Sequence, residues 1–152
     1  MDKTLAQAKA ELRQGWEGGV SCPCCGQFVK KYARKLTTSM AVGLISLYRQ
    51  SAKGAVAVHI KKIEMLNGGE FAQLRRWGLI REVKNEDTSK RTSGLWLITS
   101  KGIDFVEGNI QVPRYCDTYN GKTLGFSDEQ TDIHQALGSK FNYREMMGWL
   151  WT

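Results

Sequence analysis

No aspartate or glutamate occurs between Gly18 and Ile63, although Lys30, Lys31, Arg34, Lys35, Arg49, Lys53, Lys61 and Lys62 all fall in that interval. Such a stretch cannot neutralise itself, and with a formal net charge of +7 for the whole chain it points to a polyanionic partner. A solvated cationic surface is the plainer reading of the same run. Also missing is any apolar run near the roughly 18 residues that cross a bilayer. The first residues, MDKTLAQAKAELRQ, have no apolar core of a secretory signal. A cytoplasmic protein with no membrane partner is therefore expected. There is no Gly-rich phosphate loop, no His-Glu-x-x-His and no Gly-x-Ser-x-Gly, and the carboxylates are too scattered for a two-metal nuclease. The expectation is that the chain is not an enzyme. Internal repeats and low-complexity linkers are absent too.

What is present suits a small folded protein. The 152 residues fit one domain with short additions, and 41% apolar residues with five Trp can fill a core. Leu5, Ala8, Leu12 and Trp16 recur at helical spacing, so an amphipathic helix is predicted over about 3–14, ending at Gly15. Thr37 or Thr38 can cap a second helix in which Met40, Leu44, Leu47 and Tyr48 share a face. Residues 55–60 read as a short strand and 61–66 as a short helix. A further helix over 68–77 should bury Phe71, Leu74 and Gly78, with Asn67 and Glu70 as an imperfect capping box. Its opposite side then holds Gly69, Gln73 and Arg76.

From Leu74 to Gly102 the chain reads LRRWGLIREVKNEDTSKRTSGLWLITSKG. A helix ends at Gly78, a strand follows over 79–83, a charged loop holds Lys90 and Arg91, and a second strand over 95–99 leads to a helix capped at Ser100. This order is that of a winged helix-turn-helix, with a recognition helix at 68–77 and a wing at 85–94. After it, Asn120-Gly121 predicts a hairpin within 110–126. Two short helices should close the chain, the second capped by Asn142. The expected class is α+β, divided as 1–35 (N-terminal helix and Cys-rich knuckle), 36–108 (winged helix) and 109–152 (hairpin and helical tail).

The pattern L-x-x-x-G-L-I-R at Leu74–Arg81, followed by a mixed-charge loop and L-x-L-I-T-x-K-G at Leu95–Gly102, resembles winged-helix regulators of the MarR type. The resemblance implies that Gly-Leu-Ile ends the recognition helix and that Thr-x-Lys-Gly opens the next one. A longer set of motifs resembles a group of small bacteriophage proteins: Cys-Pro-Cys-Cys-Gly at 22–26, KLTTSMA at 35–41, RWGLI at 76–80 and RYCDTYNGKTLGFSD at 114–128. That likeness implies a phage origin and a host-cell location.

The functional expectation is a transcription regulator bound to double-stranded DNA. Arg pairs with guanine O6 and N7, and Gln with adenine N6 and N7, so Gln73 and Arg76 are the candidate base readers. Gly69 would let the backbone approach phosphate, or simply form a turn. Trp77 either packs beneath the wing strands or stacks on sugar. Lys90 and Arg91 on the wing, with Lys30, Lys31, Arg34 and Lys35, are candidate phosphate contacts. A homodimer suits this mode of binding, with the N-terminal helix and the aromatic tail (Phe141, Tyr143, Trp149, Trp151) as candidate surfaces. A module that binds a host protein through the same scaffold, to inhibit or redirect host machinery, is one alternative, and a zinc-stabilised structural component is another.

Three of the four cysteines crowd together, which fits thiols or metal ligands better than disulfides. Cys22-x-x-Cys25 before Gly26 can aim two thiolates at a structural zinc, which needs four ligands. Cys24, His59, Cys116 and His134 are the candidates to complete the set, or a dimer could share the ion. Plain reduced thiols and a redox dithiol are the other readings. His59 sits in an apolar strand, where a satisfied core histidine is the ordinary outcome. His134 is expected to be exposed.

Overall fold

A computed structural model of the chain describes residues 3–64, 68–86, 89 and 93–148. Its elements in order are α1 (Leu5–Gly15), β1 (Val20–Ser21), β2 (Phe28–Val29), β3 (Tyr32–Lys35), α2 (Thr38–Gln50), β4 (Val58–His59), α3 (Gly68–Phe71), β5 (Ile80–Glu82), β6 (Leu95–Ile98), α4 (Ser100–Val106), β7 (Val112–Pro113), β8 (Tyr115–Tyr119), β9 (Lys122–Phe126), β10 (Gln130–Thr131), α5 (Ile133–Leu137) and α6 (Tyr143–Met146). The protein is α+β, with small antiparallel sheets. Two compact units form, one from residues 1–35 and 115–127, the other from 36–114 and 128–152. The expected segment 109–152 is thus shared between them. The reason is strand pairing: β8 joins β3 in the order β3-β8-β9, with Arg34 opposite Cys116.

In the first unit α1 begins on a full capping box, Thr4 accepting from the Gln7 amide while the Gln7 side chain accepts from the Thr4 amide. Ala8 is the buried residue of this helix, and Leu5 is exposed. The β8–β9 hairpin turns at Asn120-Gly121, both left-handed at φ 49° and 77°, the twist-matched turn expected of that dipeptide.

The second unit is built around α2. Thr37 caps it, its hydroxyl oxygen accepting from the Met40 amide. Every residue from Met40 to Tyr48 is buried, rather than one face, because α3, α4, α5 and β6 pack around the helix. The Thr37 hydroxyl also donates to the Glu70 carboxylate at 2.7 Å, and Thr38 donates to the Ala136 carbonyl at 3.1 Å. Beside α2, β4, β6 and β5 form a sheet in that spatial order. The strand expected over 55–60 is limited to Val58–His59; of the helix expected over 61–66 the described residues show a 3₁₀ turn at Ile60–Lys62, and residues 65–66 lie outside them.

Thr99, not Ser100, caps α4; its hydroxyl oxygen accepts from the Gly102 amide at 3.0 Å and its hydroxyl donates to the Gly78 carbonyl at 2.6 Å. Phe105 and Val106 are buried, whereas Ile103 is only partly so. Gly102 has no room for a side chain, since a Cβ there would lie 2.2 Å from the Leu79 carbonyl oxygen. Gly102→Ala should therefore destabilise the fold by about 1–3 kcal/mol through overpacking, read from urea unfolding.

Tyr48 donates to Glu107 at 2.7 Å, and burial, reinforced by Glu107, pushes its phenol far above the ordinary value. The raised group favours folding while it stays neutral. That contribution is complete below pH of about 10 and is lost as pH rises further. Thermal melts of Tyr48→Phe should fall less steeply above that pH than those of the parent.

Candidate nucleic-acid interface

The segment before β5 starts as a single α-turn at Gly68–Phe71 and tightens into a 3₁₀ helix at Ala72–Trp77. An α-helix over the whole of 68–77 was expected. Phe71 and Leu74 are buried as expected, and Phe71 meets Trp96 edge-on with centroids 5.6 Å apart. Gly78, expected to be buried, is exposed, and Trp77 takes the interior place instead. Its indole N–H donates to the Pro113 carbonyl at 2.7 Å, so Trp77 packs rather than facing a ligand. Gly78 adopts φ 73°, the left-handed conformation that stops the helix and that a glycine takes without strain.

The tighter helix has a consequence for the candidate readers. With 3.0 residues per turn, side chains three apart eclipse. Gln73 and Arg76 accordingly lie one above the other, the Arg76 Nε–H donating to Gln73 Oε1 at 2.6 Å. Both are partly exposed, while Gly69 and Arg75 are exposed. Arg75 was missed by a reading that assumed 3.6 residues per turn. Nothing in the local sequence signals the tightening, because Trp77 reads equally well as a flanking residue.

β5 and β6 pair with Ile80 opposite Ile98 and Glu82 opposite Trp96. The ladder continues through the Val83 amide to the Leu95 carbonyl, and the Ser93 hydroxyl donates to the Val83 carbonyl. Ile80, Trp96 and Ile98 face the core, whereas Arg81 is exposed. Lys90 and Arg91, the cations expected at the wing tip, lie outside the described residues, as do Asn67, Trp149 and Trp151.

The remaining phosphate candidates belong to the first unit. Lys31 sits 3.3 Å from Glu17 and 3.5 Å from Asp117, with its ammonium over the Trp16 ring. Burial alone would lower its pKa, but Glu17 and Asp117 outweigh that and raise it. Lys30 lies 5.6 Å from the centre of the Tyr32 ring. Arg34 and Lys35 are exposed along β3.

At the cysteine cluster, β1 and β2 form a two-stranded hairpin whose tip is residues 22–27. The Gly26 amide donates to the Cys22 carbonyl at 2.8 Å, and the Cys22 amide to the Gln27 carbonyl at 2.7 Å. Cys24 and Cys25 are exposed and Cys22 is partly so. The Cys22 thiol is lowered from its ordinary value chiefly by the backbone N–H of Cys24, then that of Cys25, both directed at its sulfur. Among the described residues no three His, Cys, Asp or Glu gather into a metal-holding group. Cys116 is buried in β8, and His59 Nδ1 accepts from the Lys61 amide at 3.1 Å. His134 is exposed and stacks edgewise on Tyr143 at 4.4 Å.

No family model, curated protein or solved structure matches this chain. Among the described residues no helix is long and apolar enough to cross a membrane.

The geometry separates two cations that look alike in sequence. Lys31→Met should lower the melting temperature and leave affinity for random duplex within twofold. Arg34→Ala should leave the melt unchanged and weaken that affinity, and fluorescence anisotropy alongside a thermal melt reads both.

Proposed function

We propose that the chain is a double-stranded DNA-binding protein, a transcription regulator in which residues 36–108 act as a winged helix. The observation that carries this reading is the order of elements around the candidate readers. α2, β4, a 3₁₀ turn, the helical segment 68–77, β5, a charged loop and β6 follow one another, with β6 central in the sheet β4-β6-β5. A helical segment leading straight into a two-stranded hairpin is the arrangement that places a reader in the major groove with a wing beside it. The MarR-type resemblance of residues 74–102 agrees with it, and the phage-like motifs suit a regulator acting in a host cell.

In this reading Arg76 takes guanine, and Gln73, its carbonyl oxygen held by Arg76 Nε, positions the guanidinium rather than reading a base alone. Exposed Arg75 and Arg81 supply phosphate contacts that set register without sequence preference. Lys90 and Arg91 do the same from the loop.

A second reading, a module that binds a host protein, is favoured by a separate feature. Leu5, Phe28, Tyr32, Leu124 and Phe126 are exposed large apolar side chains of the first unit, against Val56 in the second. Salt distinguishes the two readings. A DNA binder loses duplex affinity steeply between low and moderate salt, whereas a protein-only module has little at any salt.

Selection from a random duplex library at physiological salt should return a defined motif. On that motif Arg76→Ala should cost about 1–3 kcal/mol and relax the preference at one base pair. Gln73→Ala should cost less, and the double variant little more than Arg76→Ala alone. Lys90→Ala should weaken all sequences alike and flatten the salt dependence. Recovery of no motif, or full binding by Arg76→Ala, would overturn the assignment.

A further inference from the structure

The cysteine hairpin is used by neither reading of the function, yet it is the most chemically specific part of the first unit. Its tip is a tight backbone turn. Pro23 and the left-handed Gly26 (φ 77°) fold residues 22–26 back on themselves, the Gly26 amide donating to the Cys22 carbonyl at 2.8 Å and the Cys22 amide to the Gln27 carbonyl at 2.7 Å. The thiolate is the form that binds metal. Spacing of two intervening residues lets Cys22 and Cys25 address one ion, whereas Cys24 is next to Cys25 in the chain. A buried structural cysteine has none of these features. Cys116, enclosed in β8, supplies the contrast within the same unit.

Two thiolates do not close a zinc site, since structural zinc takes four ligands in a tetrahedron. Among the described residues no third His, Cys, Asp or Glu joins the pair. The tip is nevertheless exposed, and the residue that follows it into β2 is Phe28, 60% exposed on a two-stranded hairpin. A second hairpin brought against the first would supply the missing ligands and cover that ring.

We propose that the β1–β2 hairpin is half of a zinc site, Cys22 and Cys25 of one chain and the same two residues of a second copy forming a four-thiolate tetrahedron. Each chain releases two thiol protons to solvent as the ion binds, so affinity falls in acid. Two chains and one zinc are the complete unit, and the metal, not an apolar interface, sets the stoichiometry.

Cobalt titration of the full chain, reduced with a non-chelating phosphine, tests this. The expected result is a thiolate-to-cobalt charge-transfer band with intense tetrahedral d–d bands that saturate at one ion for two chains. Zinc should displace the cobalt, and sedimentation should show a doubling of mass on metal addition that a chelator reverses. Cys22→Ser and Cys25→Ser should abolish both signals while leaving the far-ultraviolet spectrum of the metal-free protein unchanged. Cys24→Ser, which leaves both proposed ligands in place, should retain them. Absence of tetrahedral bands in the reduced parent overturns the proposal. So does saturation at one ion per chain with the mass of a single copy, or loss of the bands in Cys24→Ser with retention in Cys25→Ser.

Discussion

The candidate interface depends on one crowded junction, where Gly78, Leu79, Thr99 and Gly102 meet. Thr99 donates to the Gly78 carbonyl and accepts from the Gly102 amide, while its own amide donates to the Leu79 carbonyl. One threonine thus joins the end of the 3₁₀ helix, the start of β5 and the first turn of α4. The junction closes because two glycines permit it for different reasons. Gly78 supplies a left-handed backbone, and Gly102 supplies empty space against the Leu79 carbonyl. The repeated letters of the Gly-Leu-Ile and Thr-x-Lys-Gly patterns are therefore architectural. They hold the helical segment and the hairpin in register.

Behind that junction, α2 works as a post rather than as an amphipathic surface helix. Its middle nine residues are buried, including Gly43 and Ser46, so neighbours approach it from several sides. Burial of that extent drives assembly of the second unit through apolar area, while two specific bonds from its N-terminus orient what packs there. Thr37 reaches Glu70 and Thr38 reaches Ala136. Glu70 also places a carboxylate near the start of α2, where the helix dipole favours negative charge. A residue that in sequence resembles half of a local capping box thereby ties together segments 33 positions apart.

Legibility from sequence followed the range of the interactions involved. The capped helices, the Asn120-Gly121 hairpin and the β5–β6 pair rest on local chemistry, and each stands close to where the residues place it. The pairing of β3 with β8 is not local, and no periodicity in either strand announces it. Tyr32–Lys35 alternates weakly and is exposed throughout, so only its partner reveals it as a strand. Gly78 lost its expected burial for a similar reason, and Trp77 took the packed role of the two open to it. An α-helical wheel puts Gly78 inward, but a 3₁₀ segment rotates the stripe and brings the indole to the Pro113 carbonyl. At the site, the types of the candidate residues were readable, but which of them are occupied was not. Lys31 and Arg34 are equivalent letters in a basic run, and only the carboxylates of Glu17 and Asp117 set them apart.

The same rotation changes what a pair of reader side chains can do. On an α-helix, residues three apart diverge by about 60° around the axis, and each would sample its own base. Eclipsed on a 3₁₀ turn, Gln73 and Arg76 instead form a unit in which the amide oxygen holds the guanidinium by its Nε edge. Orienting an arginine before it meets a ligand lowers the rotamer entropy lost on binding, and it narrows the directions from which a guanine can be approached. On the DNA-binding reading proposed above, discrimination would come from one well-aimed cation rather than from two independent contacts. Arg75 and Arg81 are exposed on the surrounding surface, and on the same reading they would add attraction that is indifferent to sequence. Under that proposal such a reader would recognise few bases per copy, and a site of useful length would call for two copies on the duplex. A metal bridge between two chains would meet that requirement without an extensive apolar interface, because its four ligands are divided equally between the copies.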